Sequence, residues 1–347
     1  MNTTSSTPCT TQGFAFVEFV SSEPEQMDVL FRQLGFQLRG HTATGDKRLY
    51  SQGAIYFIVN RDSDGSAGRF ARQHRQGVSG VGFLIQDPRQ AWQICRDQGT
   101  PAADPPDYPF PALQCIGGCT LYLLDQSMLQ QWMNTELIPA ISPPDHGNQG
   151  LTTVDHLTHN VRRGQLPRWE AYYQDQFGFQ PIRRFDIKGS KTGLRSVALV
   201  SPCGNIRIPI NESSDAQSQI EEFIQRHQGE GVQHIALSTD DIYATVRGLR
   251  RAGVSFQSTP DTYYQALDQR LPDHGEDTVA LQELGILLDA DRNQSRPGKL
   301  LQIFTKETMG PLFFEVIQRK GNQGFGEGNF QALFESIELD QMQRGVI

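Results

Sequence analysis

Three residues whose side chains can bind a metal ion lie in apolar segments of the chain: His156 in VDHLTH, His234 in GVQHIAL and Glu315 in FFEVI. In a strand, alternate side chains share a face, so Glu315 points the same way as Phe313 and Ile317. An ionised carboxylate among such neighbours is costly unless a cation lies close to it. Two imidazoles and one carboxylate form the ligand set of non-haem Fe(II) oxygenases, which leaves coordination positions open for substrate and O2. The residue types therefore suggest an iron-dependent oxygenase site.

The case for a site depends on the placement of these residues, because a single histidine or glutamate in an apolar strand is often a hydrogen-bonded core residue. The three residues are separated by 78 and 81 positions, and no local motif joins them. They can meet only if the segments around them form one curved sheet. Their similar positions in related segments favour metal ligands over ordinary core residues.

The second half of the chain repeats one order of elements, a strand, a helix and then further strands. The predicted segments are LTTVDHLTHNV, QLPRWEAYYQDQFGF, RSVALVSP, NIRIPINE, GVQHIALST, DIYATVRGLRRAG, KLLQIFTK and PLFFEVIQR. The first half shows the same order, and QLGFQLRGH there is similar to QFGFQPIRRF in the second half. We therefore predict an α+β protein of four βαβββ modules, paired into two open-barrel domains. Each pair would form a curved antiparallel sheet around a cavity, with the helices outside.

A segment rich in proline and glycine, ISPPDHGNQG at residues 141–150, is typical of a linker between the halves. We predict a disordered lead-in at residues 1–12, a scaffold domain at 13–143 and a catalytic domain at 144–347. The scaffold domain is predicted to lack metal ligands. Its positions equivalent to the three candidate ligands are predicted to be Glu18, Phe83 and about Leu123.

The composition limits the classes of partner. The net charge of −8 argues against a general nucleic-acid surface, and no apolar run approaches the length of a membrane-spanning helix. The N-terminal segment lacks the basic and apolar regions of a secretory signal, and the five cysteines form no zinc-site pattern. We expect a cytoplasmic protein that binds neither nucleic acid nor membrane.

Two further histidines are left out of the predicted site. His159 lies three residues after His156 and so faces the other side of the same strand. His274 lies in PDHGED, where a proline and a glycine are typical of a loop.

Several segments resemble the 4-hydroxyphenylpyruvate dioxygenase family of the vicinal-oxygen-chelate superfamily, over essentially the whole chain. They are VDHLTHNV, GVQHIALSTDDI, LQELGILLDAD, LLQIFTK, FFEVIQRKG and GFGEGNFQALFESIE. The resemblance implies that His156, His234 and Glu315 bind Fe(II). It implies conversion of 4-hydroxyphenylpyruvate and O2 to homogentisate and CO2, by decarboxylation, ring hydroxylation and side-chain migration. It also implies a C-terminal gating helix at about 329–343 and a homodimer or homotetramer.

The same resemblance implies roles for residues around the metal. Catalytic roles are implied for Gln233, Gln302, Asn211 and Ser196. Substrate-binding roles are implied for Pro209, Gln219, Phe304, Phe313, Phe325, Asn329 and Phe330. Aromatic faces suit a phenyl ring, while amides and a hydroxyl can orient a phenol and a keto acid without adding charge near the iron.

Three alternatives remain open from the sequence. A 4-hydroxymandelate synthase would share the fold, metal and substrate but hydroxylate the benzylic carbon. A non-catalytic vicinal-oxygen-chelate protein would only bind a ligand, and a zinc or nickel isomerase of the glyoxalase type would use a similar barrel. Whether homogentisate enters tyrosine breakdown or prenylquinone synthesis is likewise left open.

Overall fold

The computed structural model describes residues 9–140, 147–188, 191–290, 298–326, 328–331, 334, 341, 342 and 345. Within this part of the chain, the strands form two eight-stranded sheets, one in each half. None of the helices described there is both long and apolar enough to cross a membrane. Residues 141–146 of the predicted linker and most of the predicted gating helix lie outside the described residues.

The first half contains one sheet and four helices among its described residues. The strands are β1 (Thr11–Val20), β2 (Gln37–Thr42), β3 (Lys47–Gln52), β4 (Ile55–Asn60), β5 (Gly77–Ile85), β6 (Ala112–Gln114), β7 (Thr120–Leu124) and β8 (Leu137–Pro139). The helices are α1 (Pro24–Gln33), α2 (Ser66–His74), α3 (Pro88–Asp97) and α4 (Gln126–Glu136), with a 3-10 turn at Ile116–Gly118. The order across the sheet is β6-β7-β5-β1-β4-β3-β2-β8. Because β1 begins at Thr11, residues 11 and 12 belong to a strand and not to the predicted disordered lead-in at residues 1–12.

The second half has the same kind of sheet with more helices. The strands are β9 (Leu151–Val161), β10 (Gln180–Lys188), β11 (Gly193–Val200), β12 (Arg207–Ser213), β13 (Gly231–Thr239), β14 (Leu287–Ala290), β15 (Lys299–Phe304) and β16 (Phe313–Lys320). The helices are α5 (Leu166–Phe177), α6 (Gln219–His227), α7 (Ile242–Arg251), α8 (Asp261–Gln265), α9 (Leu267–Arg270) and α10 (Thr278–Leu284). The order across the sheet is β10-β11-β12-β9-β13-β16-β15-β14.

The predicted four-module organisation is confirmed. The first, third and fourth modules each contain a strand, at least one helix and then three strands. The second module differs, because only β6 and β7 follow α3 directly, and β8 pairs with β2 at the far edge of the sheet. The two modules of each half therefore share one continuous sheet.

The predicted antiparallel arrangement is wrong, because both sheets are mixed. The first strands of paired modules are antiparallel, as in β1 with β5 and β9 with β13. Within each module, however, the last strand runs parallel to the first, as β12 does beside β9 and β16 beside β13. A parallel pair needs a crossover connection, and the helix inside each module provides one. This arrangement places β9, β13 and β16 next to one another at the centre of the second sheet.

The more polar strands leave no clear signal in the sequence and are not among the predicted segments. β10 is the longest of them, and all but two of its nine residues are exposed. Its sequence, QPIRRFDIK, lacks a continuous apolar face that would distinguish it from a loop. Strands of this kind are set by pairing with a neighbour, here β11, more than by their own composition.

The register of the second sheet defines the relative positions of the three candidate ligands. His156 on β9 lies opposite Ala236 on β13, and Glu315 on β16 lies beside Ala236. His234 lies two residue pairs along, opposite Thr158. The strand pairs of the first sheet identify the three positions there that correspond to these candidate ligands.

Phe16, Gly80 and Tyr122 occupy these positions in the first sheet. Phe16 lies opposite Gly82, and Tyr122 lies beside Gly82 on the next strand. Gly80 lies opposite Glu18, two residue pairs along. The rings of Phe16 and Tyr122 pack together with centroids 5.7 Å apart. The first sheet therefore has an aromatic cluster where the second has its three candidate ligands.

The predicted equivalents Glu18, Phe83 and Leu123 are therefore wrong. The three positions that do correspond to the candidate ligands carry one glycine and two aromatic residues. Phe83 and Leu123 belong to the large core cluster rather than to the cluster that contains Phe16 and Tyr122. A small error in strand register moves a side chain to the opposite face of the sheet, and local sequence similarity did not determine the register.

Glu18 is fully buried and serves as a hydrogen-bond acceptor inside the first half. It accepts hydrogen bonds from Asn60, Ser79 and Tyr108. Burial and the charge of Asp107 raise the pKa of Glu18 to about 7, although these hydrogen bonds oppose the rise. The carboxyl group therefore retains its proton in the folded state at pH values where it is ionised in the unfolded chain.

The two halves pack against each other directly behind the ligand strand. Phe314 is fully buried, and its side chain lies on the face of β16 opposite to that of Glu315. Its ring centroid lies 6.0 Å from that of Phe57 and 6.5 Å from that of Phe19, both in the first half. The first half thus supports the strand that carries Glu315.

Phe314→Ala is expected to lower the free energy of unfolding by about 3–5 kcal/mol, because it leaves a cavity between the two halves. Phe314→Leu keeps an apolar branched side chain and should cost only about 1–2 kcal/mol. Urea denaturation of both variants checks this expectation. Equal costs for the two variants would show that the site collapses around the smaller side chain.

Glu18→Gln is expected to remove a pH dependence of stability. The folded-state pKa of about 7 lies above the ordinary value of 4.5, so the stabilising proton is lost as pH rises through 7. The free energy of unfolding of the unmodified chain should therefore fall, relative to the variant, by about 3 kcal/mol between about pH 4 and pH 8. Parallel denaturation curves at several pH values measure this difference. A constant difference across that range would contradict the assignment.

Candidate metal centre

Three neighbouring strands bring His156, His234 and Glu315 together. On three adjacent strands, Ala236 pairs with His156 on one side and with Glu315 on the other. The small side chain of Ala236 leaves space for the two longer ones. His234 adds a second imidazole from β13, two residues before Ala236. All three side chains are buried. Within the described residues, these three form the group of histidine, cysteine and acidic side chains placed to hold a metal ion.

The ligand atoms converge on one point. The Nε2 atoms of His156 and His234 are 3.3 Å apart, and Glu315 Oε2 lies 3.3 Å from the first and 3.4 Å from the second. Donors at right angles, each about 2.1 Å from a shared ion, would be about 3.0 Å apart. The observed triangle is close to that size. The donor set and its spacing therefore fit one metal ion bound on a single face.

Burial and mutual contact shift the pKa of each of these three groups, and the ionised carboxylate of Glu315 favours binding of a cation. Burial would raise the pKa of Glu315, but the two imidazole rings outweigh this effect and lower it to about 2. Burial also lowers the pKa of His156, yet Glu315 and Asp155 outweigh it and leave that pKa above the ordinary value. The pKa of His234 is lowered, chiefly by burial and also by His156, although Glu315 opposes this shift.

Each ligand is oriented by a neighbouring polar side chain. His156 Nδ1 lies 2.8 Å from Asp155 Oδ1, and His234 Nδ1 lies 3.0 Å from Gln233 Oε1. An N–H at each Nδ1 that donates to these oxygens leaves Nε2 free to bind a metal. Gln302 Nε2 donates to Glu315 Oε1 at 2.8 Å, so Oε2 is left facing the two histidines.

A cavity lies over the three candidate ligands. Its lining includes seven further residues singled out in the sequence, which are Ser196, Pro209, Asn211, Gln302, Phe304, Phe325 and Phe330. The hydroxyl of Ser196 and Oδ1 of Asn211 are buried and have no hydrogen-bond partner among the described residues. Ser196 and Asn211 lie opposite each other on β11 and β12. Two neutral polar groups are therefore available to a ligand in this cavity.

Four residues implied by the resemblance do not line this cavity. Gln233 contacts His234 as described, and Phe313 stacks on the His234 ring at 4.9 Å. Asn329 donates to Gln302 Oε1 at 2.8 Å and accepts from the hydroxyl of Tyr263. Gln219 is buried at the start of α6. The first three act on the site through a residue that lines it or binds the metal.

Sequence reasoning missed four residues of this site. Thr158 lines the cavity, with its hydroxyl 2.9 Å from His234 Nε2. It lies two residues after His156, so strand alternation could have identified it. Phe185 also lines the cavity, but it lies on β10, which was not assigned as a strand. Asp155 and Arg319, which form a buried ion pair beside His156, had no signal beyond their proximity to ligands in the sequence.

The two excluded histidines lie outside the site, as predicted. His159 Nε2 lies 2.7 Å from the hydroxyl of Tyr173, and burial lowers the pKa of His159 to about 3. His274 lies 3.0 Å from Asp268. Neither belongs to the metal-binding group found among the described residues.

The C-terminal segment covers the cavity with aromatic side chains. Phe325 and Phe330 line it, and Phe334 is fully buried in the same cluster. Phe330 packs edge-on against Phe185, with centroids 5.6 Å apart. Residues 328–331 are helical, while most of the predicted gating helix at about 329–343 lies outside the described residues. Its gating role stays a prediction.

Two family models match the chain. Residues 5–134 match a model described as "Hydroxyphenylpyruvate dioxygenase, HPPD, N-terminal". Residues 153–271 match a model of the "Glyoxalase/Bleomycin resistance protein/Dioxygenase superfamily". The first match falls in the first half of the chain and the second match in the second half.

Relatives named 4-hydroxyphenylpyruvate dioxygenase match almost the whole chain. A 4-hydroxyphenylpyruvate dioxygenase of Legionella pneumophila is 48% identical over 346 residues, which cover 98% of this chain and 97% of the relative. One from Pseudomonas aeruginosa is 47% identical over 349 residues, with the same coverage. Among solved structures, a mutant of 4-hydroxymandelate synthase from Streptomyces coelicolor is 25% identical, with a TM-score of 0.81 over 95% of this chain and 99% of that chain.

Gln302→Ala is expected to weaken metal binding by about 10-fold, because Glu315 Oε1 loses its donor and the carboxylate is free to rotate. The dissociation constant for Co(II), measured by competition with a chelator, tests this expectation. Gln282→Ala, at an exposed position of α10, is the control. Equal affinities for the two variants would show that Gln302 does not orient the ligand.

Proposed function

The chain belongs to the 4-hydroxyphenylpyruvate dioxygenase family, and from that membership we propose that it uses Fe(II) to convert 4-hydroxyphenylpyruvate and O2 to homogentisate and CO2. The observation that carries the proposal is the convergence of His156, His234 and Glu315 under a buried aromatic cavity. Two histidines and one carboxylate are the set that suits non-haem Fe(II).

The donor set fits iron and leaves room for a substrate. Three protein ligands on one face leave further positions on the cavity side, where Ser196 and Asn211 have unsatisfied polar atoms. Bound Fe(II) would supply the sites at which an α-keto acid and O2 react. The keto acid would belong to the substrate itself, so the proposal requires no second 2-oxo acid.

The residues of the chain would bind and orient the aromatic part of the substrate. Phe304, Phe325 and Phe330 present ring faces and edges suited to a phenyl group. The hydroxyl of Ser196 and the amide of Asn211 would hydrogen-bond to its polar end without adding charge. The apolar cover would exclude water from a reaction whose intermediates are easily diverted.

A 4-hydroxymandelate synthase is the second candidate, because a mutant of that enzyme has the same overall fold. It would need the same metal ligands, so the metal centre does not separate the two reactions. The greater identity to dioxygenases, 47–48% against 25%, favours the first candidate. The identity of the aromatic product separates them directly.

Three finer statements stay predictions. They are the homo-oligomeric assembly, as a dimer or a tetramer, the cytoplasmic location and the supply of homogentisate to tyrosine breakdown or prenylquinone synthesis.

The function is tested by loading the metal-free protein with Fe(II) under nitrogen and then adding 4-hydroxyphenylpyruvate and air. Homogentisate and O2 uptake are expected, and His234→Ala and Glu315→Gln should each lose more than about 100-fold in rate because a ligand is absent. His41→Gln, in the first sheet, is a control variant that leaves the three ligands intact.

Each other outcome has a definite meaning. 4-Hydroxymandelate as the product would replace the proposed reaction with that of the second candidate. No O2 uptake by folded, iron-loaded protein would reject both reactions.

A further inference from the structure

Arg319 joins the metal centre to the segment that forms the cavity wall. It lies four residues after Glu315 on β16, so both side chains follow the same face of the strand. Its side chain is only 14% exposed. Such a buried guanidinium needs partners for its donors, and the partners of Arg319 lie on two separate segments.

The first partner is the carboxylate that orients His156. Arg319 Nε donates to Asp155 Oδ2 at 2.7 Å, and Nη2 donates to Oδ1 at 2.8 Å. Asp155 Oδ1 is also the atom that faces His156 Nδ1. The planar guanidinium therefore holds the carboxylate in one orientation by two parallel hydrogen bonds. The equivalent neighbour of His234 is the neutral Gln233, which needs no cation.

The second partner is the segment after β16. Arg319 Nη1 donates to the carbonyl oxygens of Asn322 and Gly324. The guanidinium also lies 5.5 Å from the ring centroid of Phe325. The same ring meets His156 edge-on, with centroids 5.2 Å apart. Phe325 therefore contacts both a candidate metal ligand and the cation that orients that ligand.

We propose that Arg319 is a positioning residue that sets His156 and the Phe325 cavity wall relative to each other, so that metal affinity and cavity shape depend on one guanidinium. The proposal rests on the metal centre described above and adds a specific coupling to it. Lysine could neutralise Asp155 but has no planar pair of donors on one side and a third donor for the carbonyl oxygens on the other. Charge alone therefore does not reproduce the role.

The structure also indicates that a variant at this position will fold. Arg207 Nη1 lies 3.9 Å from Asp155 Oδ2, so the carboxylate keeps a second cation nearby. Arg319→Lys retains a positive charge as well. The variant should therefore lose the hydrogen-bond geometry of the guanidinium but keep the charge balance around Asp155.

The test compares the unmodified protein with Arg319→Lys in two measurements. Affinity for Co(II), with its absorption spectrum, reports the ligands, and hydrogen exchange of the metal-free protein reports the segment Asn322–Phe325. We expect about 10- to 100-fold weaker Co(II) binding, a shifted spectrum and faster exchange at Gly324, whose N–H donates to Asn322 Oδ1. Arg226→Lys, which alters an exposed bidentate pair with Glu307, should change none of these.

A double variant tests whether the effect passes through Asp155. In an Asp155→Asn background, Arg319→Lys should weaken Co(II) binding by less than about 2-fold further. Exchange at Gly324 should still increase, because the contact with the loop does not involve Asp155.

The outcomes separate this inference from the proposed function. If the unmodified protein bound no Co(II), the metal centre itself would be rejected. If it bound Co(II) and Arg319→Lys changed only affinity or only loop exchange, the coupling would be overturned. Fully additive effects of Arg319→Lys and Asp155→Asn on affinity would overturn it too.

Discussion

The burial of an ionised carboxylate, Glu315, against two imidazole rings is the constraint on which the rest of the second half depends. Water does not reach this group, so its charge is balanced by His156 and His234 and one of its oxygens is held by Gln302. The three donors come from adjacent strands because the first strands of the two modules, β9 and β13, pair antiparallel and β16 runs parallel to β13 within its module. The mixed topology of the sheet is thus a condition for the site.

The two halves have similar curved sheets, but different side chains fill the inner face of each sheet. The second has three polar ligands and a cavity, while the first has Phe16 and Tyr122 in contact across Gly80 and Gly82. An aromatic cluster is inexpensive to bury, whereas a ligand set needs orienting partners for each polar atom. The first half is therefore suited to packing, and its Phe19 and Phe57 support the ligand strand from behind through Phe314.

Much of the fold could be predicted because long apolar strands and capped helices leave local signals. β9, β13 and β16 have such apolar runs, and α7 starts at an aspartate cap, Asp241, whose side chain accepts from Ala244 N. β10 was missed because its exposed, charged residues resemble those of a loop. The misplaced equivalents Phe83 and Leu123 have a different cause, since register depends on pairing across the sheet.

The site divides in the same way. Residue types and spacing are enough to predict that His156, His234 and Glu315 are buried donors on strand faces, because alternation along a strand has a period of two and apolar neighbours mark the inner face. It is the pairing of strands in the folded chain that brings these donors together, lets Asp155 orient one of them and lets Arg319 reach both Asp155 and the loop before Phe325. Contacts between residues more than 150 positions apart depend on how the whole sheet pairs and curves, and no local segment contains that information.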